Sequence, residues 1–207
     1  MKRIVALGLL LLSPMLMADE DPISRLKAIQ NSSELSKKAY ESGKEAIVFC
    51  GYCHGVDGNS KRNRIPNLAA QNPVYLFSAF EQFGNGQRTD YVMTELAQSL
   101  TLEEKVNIAV YYSQQQVAVK EAETPEKATA GQVVYEKHCQ KCHGSEGLGA
   151  ENIPRLAGQP MEYVRRTLTA FRDKDPRRHS EVMRFVAERL SDEEIEGIAN
   201  YLQTLNP

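Results

Sequence analysis

The residues best suited to chemistry in this chain are four cysteines, which form two C-x-x-C pairs, each followed directly by a histidine. The two sets comprise Cys50, Cys53, His54, Cys139, Cys142 and His143. Two thiols one helical turn apart can add to the two vinyl groups of a porphyrin, and the adjacent imidazole can then reach its iron. The doubled motif therefore predicts two covalently bound c-type haem groups. The cysteines are the expected attachment points, and the two histidines are the expected iron ligands.

A zinc site and a thiol–disulfide redox site are the two other common uses of such a cysteine pair. Zinc ribbons close over a short loop, whereas Cys53 and Cys139 lie in opposite halves of the chain. A thioredoxin-type redox pair needs a βαβ context, which the sequence pattern does not show. Both alternatives are therefore much weaker than haem attachment.

The first residues have the composition of a secretory signal. Lys2 and Arg3 precede an apolar run, and Ala18 provides a small residue at a plausible cleavage site. The run is short for a membrane span, which needs about 20 residues. We therefore expect residues 1–18 to be a signal peptide and the mature protein to be periplasmic, since c-type haem is attached after export.

The charge of the chain gives no sign of a nucleic-acid partner. Its formal net charge is −2 at pH 7, with 25 basic and 27 acidic residues. A nucleic-acid-binding protein usually carries a basic patch, which is absent from this pattern. Charged residues make up 25% and hydrophobic residues 42% of the chain, so the composition is typical of a folded protein.

An internal duplication determines the expected architecture. Residues 65–71 (IPNLAAQ) return as residues 153–159 (IPRLAGQ), and Met93 has an equivalent in Met183. A repeat of this length exceeds a solenoid unit, so each copy should be a globular haem domain. We predict a signal peptide (1–18) and a polar lead-in of unassigned role (19–32). They are followed by the first haem domain (33–115), a linker (116–127) and the second haem domain (128–207).

Each copy has helical periodicity, and no segment alternates with the period of a strand. The predicted fold is therefore all-α, with a few helices wrapped around one haem in each domain. Capping boxes predict three helix starts, at Thr101, Thr129 and Ser191, and Pro160 suits the first turn of a fourth helix.

Two methionines are the candidate sixth ligands of the irons. Met93 and Met183 occupy equivalent positions, just ahead of the last helix of each copy, where a loop could return to the haem. Met161 has no counterpart and is expected to fill space in the core. The remaining histidines, His138 and His179, are expected not to bind iron.

The chain resembles the di-haem cytochrome c4 family, in which two class I cytochrome c domains share one exported chain. The resemblance rests on residues 50–59 (CGYCHGVDGN), 65–69 (IPNLA) and 100–104 (LTLEE), on Met93, and on their second-half equivalents. It implies that the carbonyls of Pro66 and Pro154 accept hydrogen bonds from the proximal histidines. It also implies a pseudo-twofold relation between the domains, with haem propionates near their contact.

The expected function is transport of single electrons, and the protein is not expected to be an enzyme. Histidine and methionine together saturate the iron and raise its potential, which suits electron transfer. Similar proteins pass electrons from a quinol–cytochrome c oxidoreductase toward a terminal oxidase, and peripheral association with the membrane is compatible with that role. The alternatives are a cytochrome subunit of a dehydrogenase complex, for example one that oxidises sulfide, and a di-haem peroxidase. The charged loop at residues 172–180 is a candidate docking surface.

Overall fold

The computed structural model describes residues 21–118 and 120–205. The predicted signal peptide, residues 1–18, lies outside them. Within this part of the chain the regular structure consists of eleven α-helices, and the only β-type pairs are two isolated bridges. The predicted all-α fold is confirmed. None of the helices in the described segments is both long and apolar enough to cross a membrane.

Six helices form the first half of the structure. They are α1 (Pro22–Gln30), α2 (Ser33–Ala46), α3 (Val48–His54), α4 (Pro73–Gly84), α5 (Tyr91–Ser99) and α6 (Leu102–Ser113). Helices α2 and α4 both pack on α6, and α5 packs on α4. Their apolar faces form one core cluster, which includes Phe77, Phe80, Val106 and Ile108.

Five helices form the second half. They are α7 (Pro125–His138), α8 (Gln140–His143), α9 (Met161–Arg172), α10 (Glu181–Ala187) and α11 (Asp192–Thr204). Helix α11 packs on α7 and α9, and α10 packs on α9. A separate core cluster lies between them and includes Val164, Ile195, Ile198 and Leu202. The two clusters agree with a duplicated domain, while the predicted domain boundaries stay predictions.

The helix starts show which local signals determine structure. Thr101 and Ser191 form complete capping boxes with Glu104 and Glu194, as predicted. The capping box predicted at Thr129 is wrong, because α7 begins one turn earlier, at Pro125. Proline lacks only an N–H that the first turn leaves unpaired, so it is favoured there. Thr129 lies inside the helix, and its hydroxyl donates to the carbonyl of residue 125 at 3.2 Å.

The polar lead-in contains a helix that packs on the first core. Leu26 and Ile29 of α1 are buried there, at 0% and 5% exposure. Arg25 forms an ion pair with Glu103 on α6. The side chain of Asp21 caps the helix by accepting from the backbone N–H of Ser24 at 3.0 Å. Helix α1 therefore extends the core of the first half.

Glycines permit the closest helix contacts in both halves. A Cβ built on Gly131 of α7 would lie 1.9 Å from the carbonyl oxygen of Gly197 on α11. A Cβ on Gly43 of α2 would lie 2.2 Å from the carbonyl oxygen of Asn107 on α6. The paired helices therefore approach until their backbones touch, which leaves no room for a side chain.

Candidate haem sites and the contact between them

The two cysteine motifs lie on short helices that place their thiols close together. Cys50, Cys53 and His54 belong to α3, and Cys142 and His143 belong to α8. Cys139 caps the N-terminus of α8. Its backbone carbonyl accepts a hydrogen bond from the N–H of His143 at 3.0 Å. All four thiols are free and none is fully buried. One helical turn separates the two thiols of each pair, as haem attachment requires.

Both motif histidines are held in the same orientation by a proline carbonyl. Nδ1 of His54 lies 2.9 Å from the carbonyl oxygen of Pro66, and Nδ1 of His143 lies 3.0 Å from that of Pro154. A carbonyl can only accept, so Nδ1 must carry the proton, and the lone pair of each imidazole is on Nε2. These contacts confirm the two hydrogen bonds implied by the resemblance.

Burial keeps both imidazoles neutral. His54 and His143 are each 7% exposed. Burial lowers the pKa of each histidine, and the hydrogen bond to the proline carbonyl opposes this effect without cancelling it. A neutral imidazole is the form that binds a metal ion.

The environment of the cysteines does not suit thiol redox chemistry. Burial raises the pKa of Cys50, and it raises that of Cys139 to about 11. A reactive redox cysteine needs a lowered pKa, because the thiolate is the nucleophile. This geometry supports haem attachment over the alternative of a redox pair.

A buried tyrosine holds the turn after each haem motif. Gly55 and Gly144 continue the chain with φ of 82° in both cases, a conformation that favours glycine. Their carbonyls accept hydrogen bonds from Tyr112 at 3.3 Å and from Tyr135 at 2.6 Å, respectively. Both tyrosines are 0% exposed. They lie on non-equivalent helices, α6 and α7, so the sequence duplication gave no signal for this shared role.

The two candidate methionine ligands lie at the same helical position. Met93 and Met183 are the third residues of α5 and α10, so the expected loop is a short helix in each half. The backbone N–H of Met93 donates to Asp90 at 3.1 Å, and that of Met183 donates to Ser180 at 3.3 Å. Both methionines are half-buried. Their ligation of iron stays a prediction.

The other sequence candidates take ordinary positions. Met161 packs against the second core, in agreement with its expected role as a packing residue. His179 is exposed and His138 is half-buried. In the charged loop, Arg172 bonds to Asp192 at 2.6 Å and Arg177 bonds to Asp175 at 2.6 Å. Much of the loop charge is therefore paired within the protein, and a docking role for the loop stays a prediction.

A cationic cluster lies at the contact between the halves. Nη2 of Arg178 donates to the hydroxyls of Tyr163 at 2.9 Å and Thr167 at 3.1 Å, and Arg88 approaches the same tyrosine at 3.5 Å. In residues 21–118 and 120–205, neither arginine forms an ion pair with a carboxylate. Burial raises the pKa of Tyr163, but the charges of Arg178 and Arg88 outweigh this effect and lower it. Two adjacent cations with hydroxyl partners suit an anionic group such as a haem propionate.

The two halves are also joined by a reciprocal set of hydrogen bonds. The side-chain amide of Gln159 accepts from the backbone N–H of Asn67 at 3.1 Å and donates to its carbonyl at 2.8 Å. Gln71 makes the same two bonds with the backbone of Arg155, at 2.7 and 2.9 Å. Because these residues come from the repeated segments 65–71 and 153–159, the contact has the expected pseudo-twofold character. Sequence reasoning identified the repeated segments but not their contact.

The site residues fit the haem groups that the motifs predict. Each half has a pair of thiols, a neutral buried imidazole with its lone pair on Nε2, and a methionine at an equivalent position. The cationic cluster would suit the propionate groups of a porphyrin.

Comparison with known proteins agrees with the geometry. Residues 128–206 match the protein-family model described as Cytochrome c. Cytochrome c4 of Thiocapsa roseopersicina is 35% identical, over 78% of this chain and 90% of the relative. Cytochrome c4 of Pseudomonas aeruginosa is 31% identical, over 80% and 88%. The thiosulfate dehydrogenase electron acceptor of Thiomonas intermedia is 31% identical, over 90% and 94%.

Solved structures show the same similarity. Reduced recombinant cytochrome c4 from Pseudomonas stutzeri aligns with a TM-score of 0.75 and 31% identity, over 81% of this chain and 98% of that one. Thiosulfate dehydrogenase from Marichromatium purpuratum aligns with a TM-score of 0.67 and 29% identity, over 80% of this chain and 40% of that one. The chain therefore belongs to the cytochrome c4 family of electron-transfer proteins, and it carries two covalently bound haem c groups.

Proposed function

We propose that the protein carries single electrons in the bacterial periplasm, from a quinol–cytochrome c oxidoreductase toward a terminal oxidase. In this proposal His54 and Met93 are the axial ligands of one iron, and His143 and Met183 are those of the other. Four cysteines attach the two haem groups. The periplasmic location rests on the signal-like composition of residues 1–18.

The observation that carries the proposal is that both halves contain the same candidate ligands in equivalent positions. Each has a neutral, buried histidine whose Nδ1 bonds to a proline carbonyl, and each has a methionine at the third position of an equivalent helix. A peroxidase needs one iron with an open or labile sixth position. Two equivalent methionines favour two saturated irons instead, which suits electron transfer.

In the proposed mechanism, the residues of the chain hold the two haem groups and orient their histidine ligands. When bound, each haem supplies an iron that exchanges one electron between its ferrous and ferric states. Pro66 and Pro154 fix the imidazole planes through the bonds to Nδ1, which also raises the basicity of Nε2. Tyr112 and Tyr135 hold the turns that follow the histidines, through hydrogen bonds to the carbonyls of Gly55 and Gly144.

Binding of carbon monoxide tests whether both irons are saturated. We expect the reduced protein at neutral pH to keep its six-coordinate, low-spin spectrum when carbon monoxide is added, because each methionine occupies the sixth position. Absorption spectroscopy of the Soret region measures this directly. Rapid, stoichiometric binding to either haem would contradict the ligand assignment and favour the peroxidase alternative.

Oxidation by membranes tests the physiological role. The reduced protein is mixed with membranes of its own organism, and its oxidation is followed by absorption with and without cyanide. Electron delivery to a haem–copper terminal oxidase predicts rapid oxidation that cyanide abolishes. Oxidation that is absent, or that is insensitive to cyanide, would contradict delivery to such an oxidase.

A second candidate function is that of electron acceptor for a dehydrogenase. One relative, which matches 90% of this chain, is a thiosulfate dehydrogenase electron acceptor. A solved thiosulfate dehydrogenase contains a region similar to this chain within a longer polypeptide. The experiment is to mix the oxidised protein with thiosulfate and a thiosulfate dehydrogenase and to follow reduction of the haems. Reduction that requires both components would favour this alternative.

A further inference from the structure

One peptide group in the first half makes two contacts that connect the halves. Its carbonyl, from Pro66, accepts from Nδ1 of His54 at 2.9 Å. Its N–H, from Asn67, donates at 3.1 Å to the side-chain oxygen of Gln159, which lies in the second half. A single planar amide therefore lies between a proximal histidine and a glutamine of the opposite half.

The second half contains the same arrangement with the roles exchanged. The carbonyl of Pro154 accepts from Nδ1 of His143 at 3.0 Å, and the N–H of Arg155 donates to the side-chain oxygen of Gln71 at 2.7 Å. The oxygen of Gln71 also accepts from the backbone N–H of Asn72 at 3.0 Å. The oxygen of Gln159 has Asn67 as its hydrogen-bond donor, so Gln159 provides the simpler case for an experiment.

Hydrogen bonds in such a chain polarise one another. When the N–H of an amide donates, electron density moves to its carbonyl oxygen, which becomes a better acceptor. A better acceptor at Nδ1 makes the imidazole a stronger electron donor through Nε2. A stronger donor favours the ferric over the ferrous iron and so lowers the reduction potential.

We propose that each glutamine tunes the haem of the opposite half. Gln159 lowers the reduction potential of the haem held by His54, and Gln71 lowers that of the haem held by His143. This inference rests on the proposed ligation of iron by these two histidines. Gln71 and Gln159 are positioning residues, since each acts on a histidine through one peptide group.

Burial allows the effect to be transmitted without competition from water. Gln71, Gln159 and Asn67 are 3%, 4% and 4% exposed. Both the oxygen and the nitrogen of each glutamine side-chain amide are used, because the oxygen accepts from the backbone N–H of the partner residue and the nitrogen donates to its carbonyl. The orientation of the two side chains is therefore fixed by two bonds to one residue.

The test is the substitution Gln159→Leu, which removes the acceptor from Asn67. We expect the one-electron equilibrium constant for reduction of the haem held by His54 to rise about two- to fivefold, as polarisation is lost. At 59 mV for each factor of ten, this is a rise of about 20 to 40 mV. The other midpoint should stay unchanged. In the reduced protein, the NMR signal of the Nδ1 proton of His54 should move upfield, while that of His143 should not.

Two matched variants distinguish tuning of the reduction potential from a general weakening of the contact between the halves. Gln159→Glu keeps an oxygen that can accept from Asn67, so the potential should stay at or below that of the unmodified protein. Asn72→Leu removes two other bonds between the halves, from its side chain to the carbonyls of Leu148 at 3.1 Å and Ile153 at 2.7 Å. It leaves both histidine-linked peptide groups untouched, so neither midpoint should follow the pattern of Gln159→Leu.

The reciprocal variant Gln71→Leu provides an independent test, in which only the haem held by His143 should rise in potential. The inference is overturned if Gln159→Leu moves neither midpoint, or if it moves the midpoint of the haem held by His143. It is also overturned if Gln159→Glu or Asn72→Leu raises the midpoint of the haem held by His54 by the same amount. The absorption spectrum, which reports the spin state of each iron, distinguishes failure of the tuning from failure of the ligand assignment. A low-spin spectrum with unmoved potentials overturns the tuning alone, whereas a high-spin iron in the unmodified protein overturns the ligand assignment.

Discussion

Replacing Met183 by histidine is expected to lower the reduction potential of one haem and leave the other nearly unchanged. Thioether ligation favours the ferrous iron, and a second imidazole favours it less. We expect a decrease on the order of 100 to 200 mV, about two to three tenfold steps in the equilibrium constant at 59 mV each. Both haems should stay attached, because attachment depends on the two cysteine pairs and not on the sixth ligand. A redox titration followed by absorption measures the two midpoints.

The duplication supplies a matched variant and the packing supplies a control. Met93→His should lower the potential of the other haem by a similar amount, because Met93 and Met183 occupy the same helical position. Met161→Leu should move neither midpoint, since Met161 packs against the second core. A midpoint that does not respond to substitution of its methionine would mean that this residue only fills space. The ligand assignment for that half would then be wrong.

Replacing Gly131 by alanine is expected to destabilise the second half of the structure. The new Cβ would lie 1.9 Å from the carbonyl oxygen of Gly197, and no side-chain rotation can relieve a contact between Cβ and backbone. Alanine is favoured over glycine within a helix by about 1 kcal/mol. Overpacking costs about 1–3 kcal/mol and occasionally more, and a contact this short lies at the upper end. We therefore expect a net loss of about 2 kcal/mol.

Guanidinium denaturation followed by circular dichroism measures this loss, since the chain has no tryptophan. The control is Gly197→Ala, on the opposite helix of the same contact. Its Cβ would lie 3.1 Å from its three nearest atoms, so small shifts could accommodate it and the loss should be much smaller. Equal stability of Gly131→Ala and the unmodified protein would show that α7 and α11 can separate without cost.

Local chemistry explains which helix starts could be predicted. The capping boxes at Thr101 and Ser191 each involve a partner only three residues away, so the sequence contains both members of the interaction. The prediction at Thr129 was wrong because Pro125 allows the helix to begin one turn earlier. Two acceptable start signals competed, and propensity alone did not decide between them.

The contact between the halves shows what a sequence pattern cannot supply. Gln71 and Gln159 are visible as equivalent residues of a repeat, but their partners lie 84 to 92 positions away. The repeat predicts that the two copies are alike and leaves open how they meet. The same limit applies to Tyr112 and Tyr135, which support equivalent turns from non-equivalent helices.

The sequence by itself determined the two haem attachments, the duplication and the helical class, because covalent motifs and helical periodicity depend on residues close together in the chain. The hydrogen bonds from His54 and His143 to proline carbonyls were implied only by the family resemblance, and the structure confirmed them. Tertiary structure alone decided the packing of α1 and the joining of the halves through Gln71 and Gln159. Such contacts depend on which distant surfaces bury one another, and burial is a property of the whole fold.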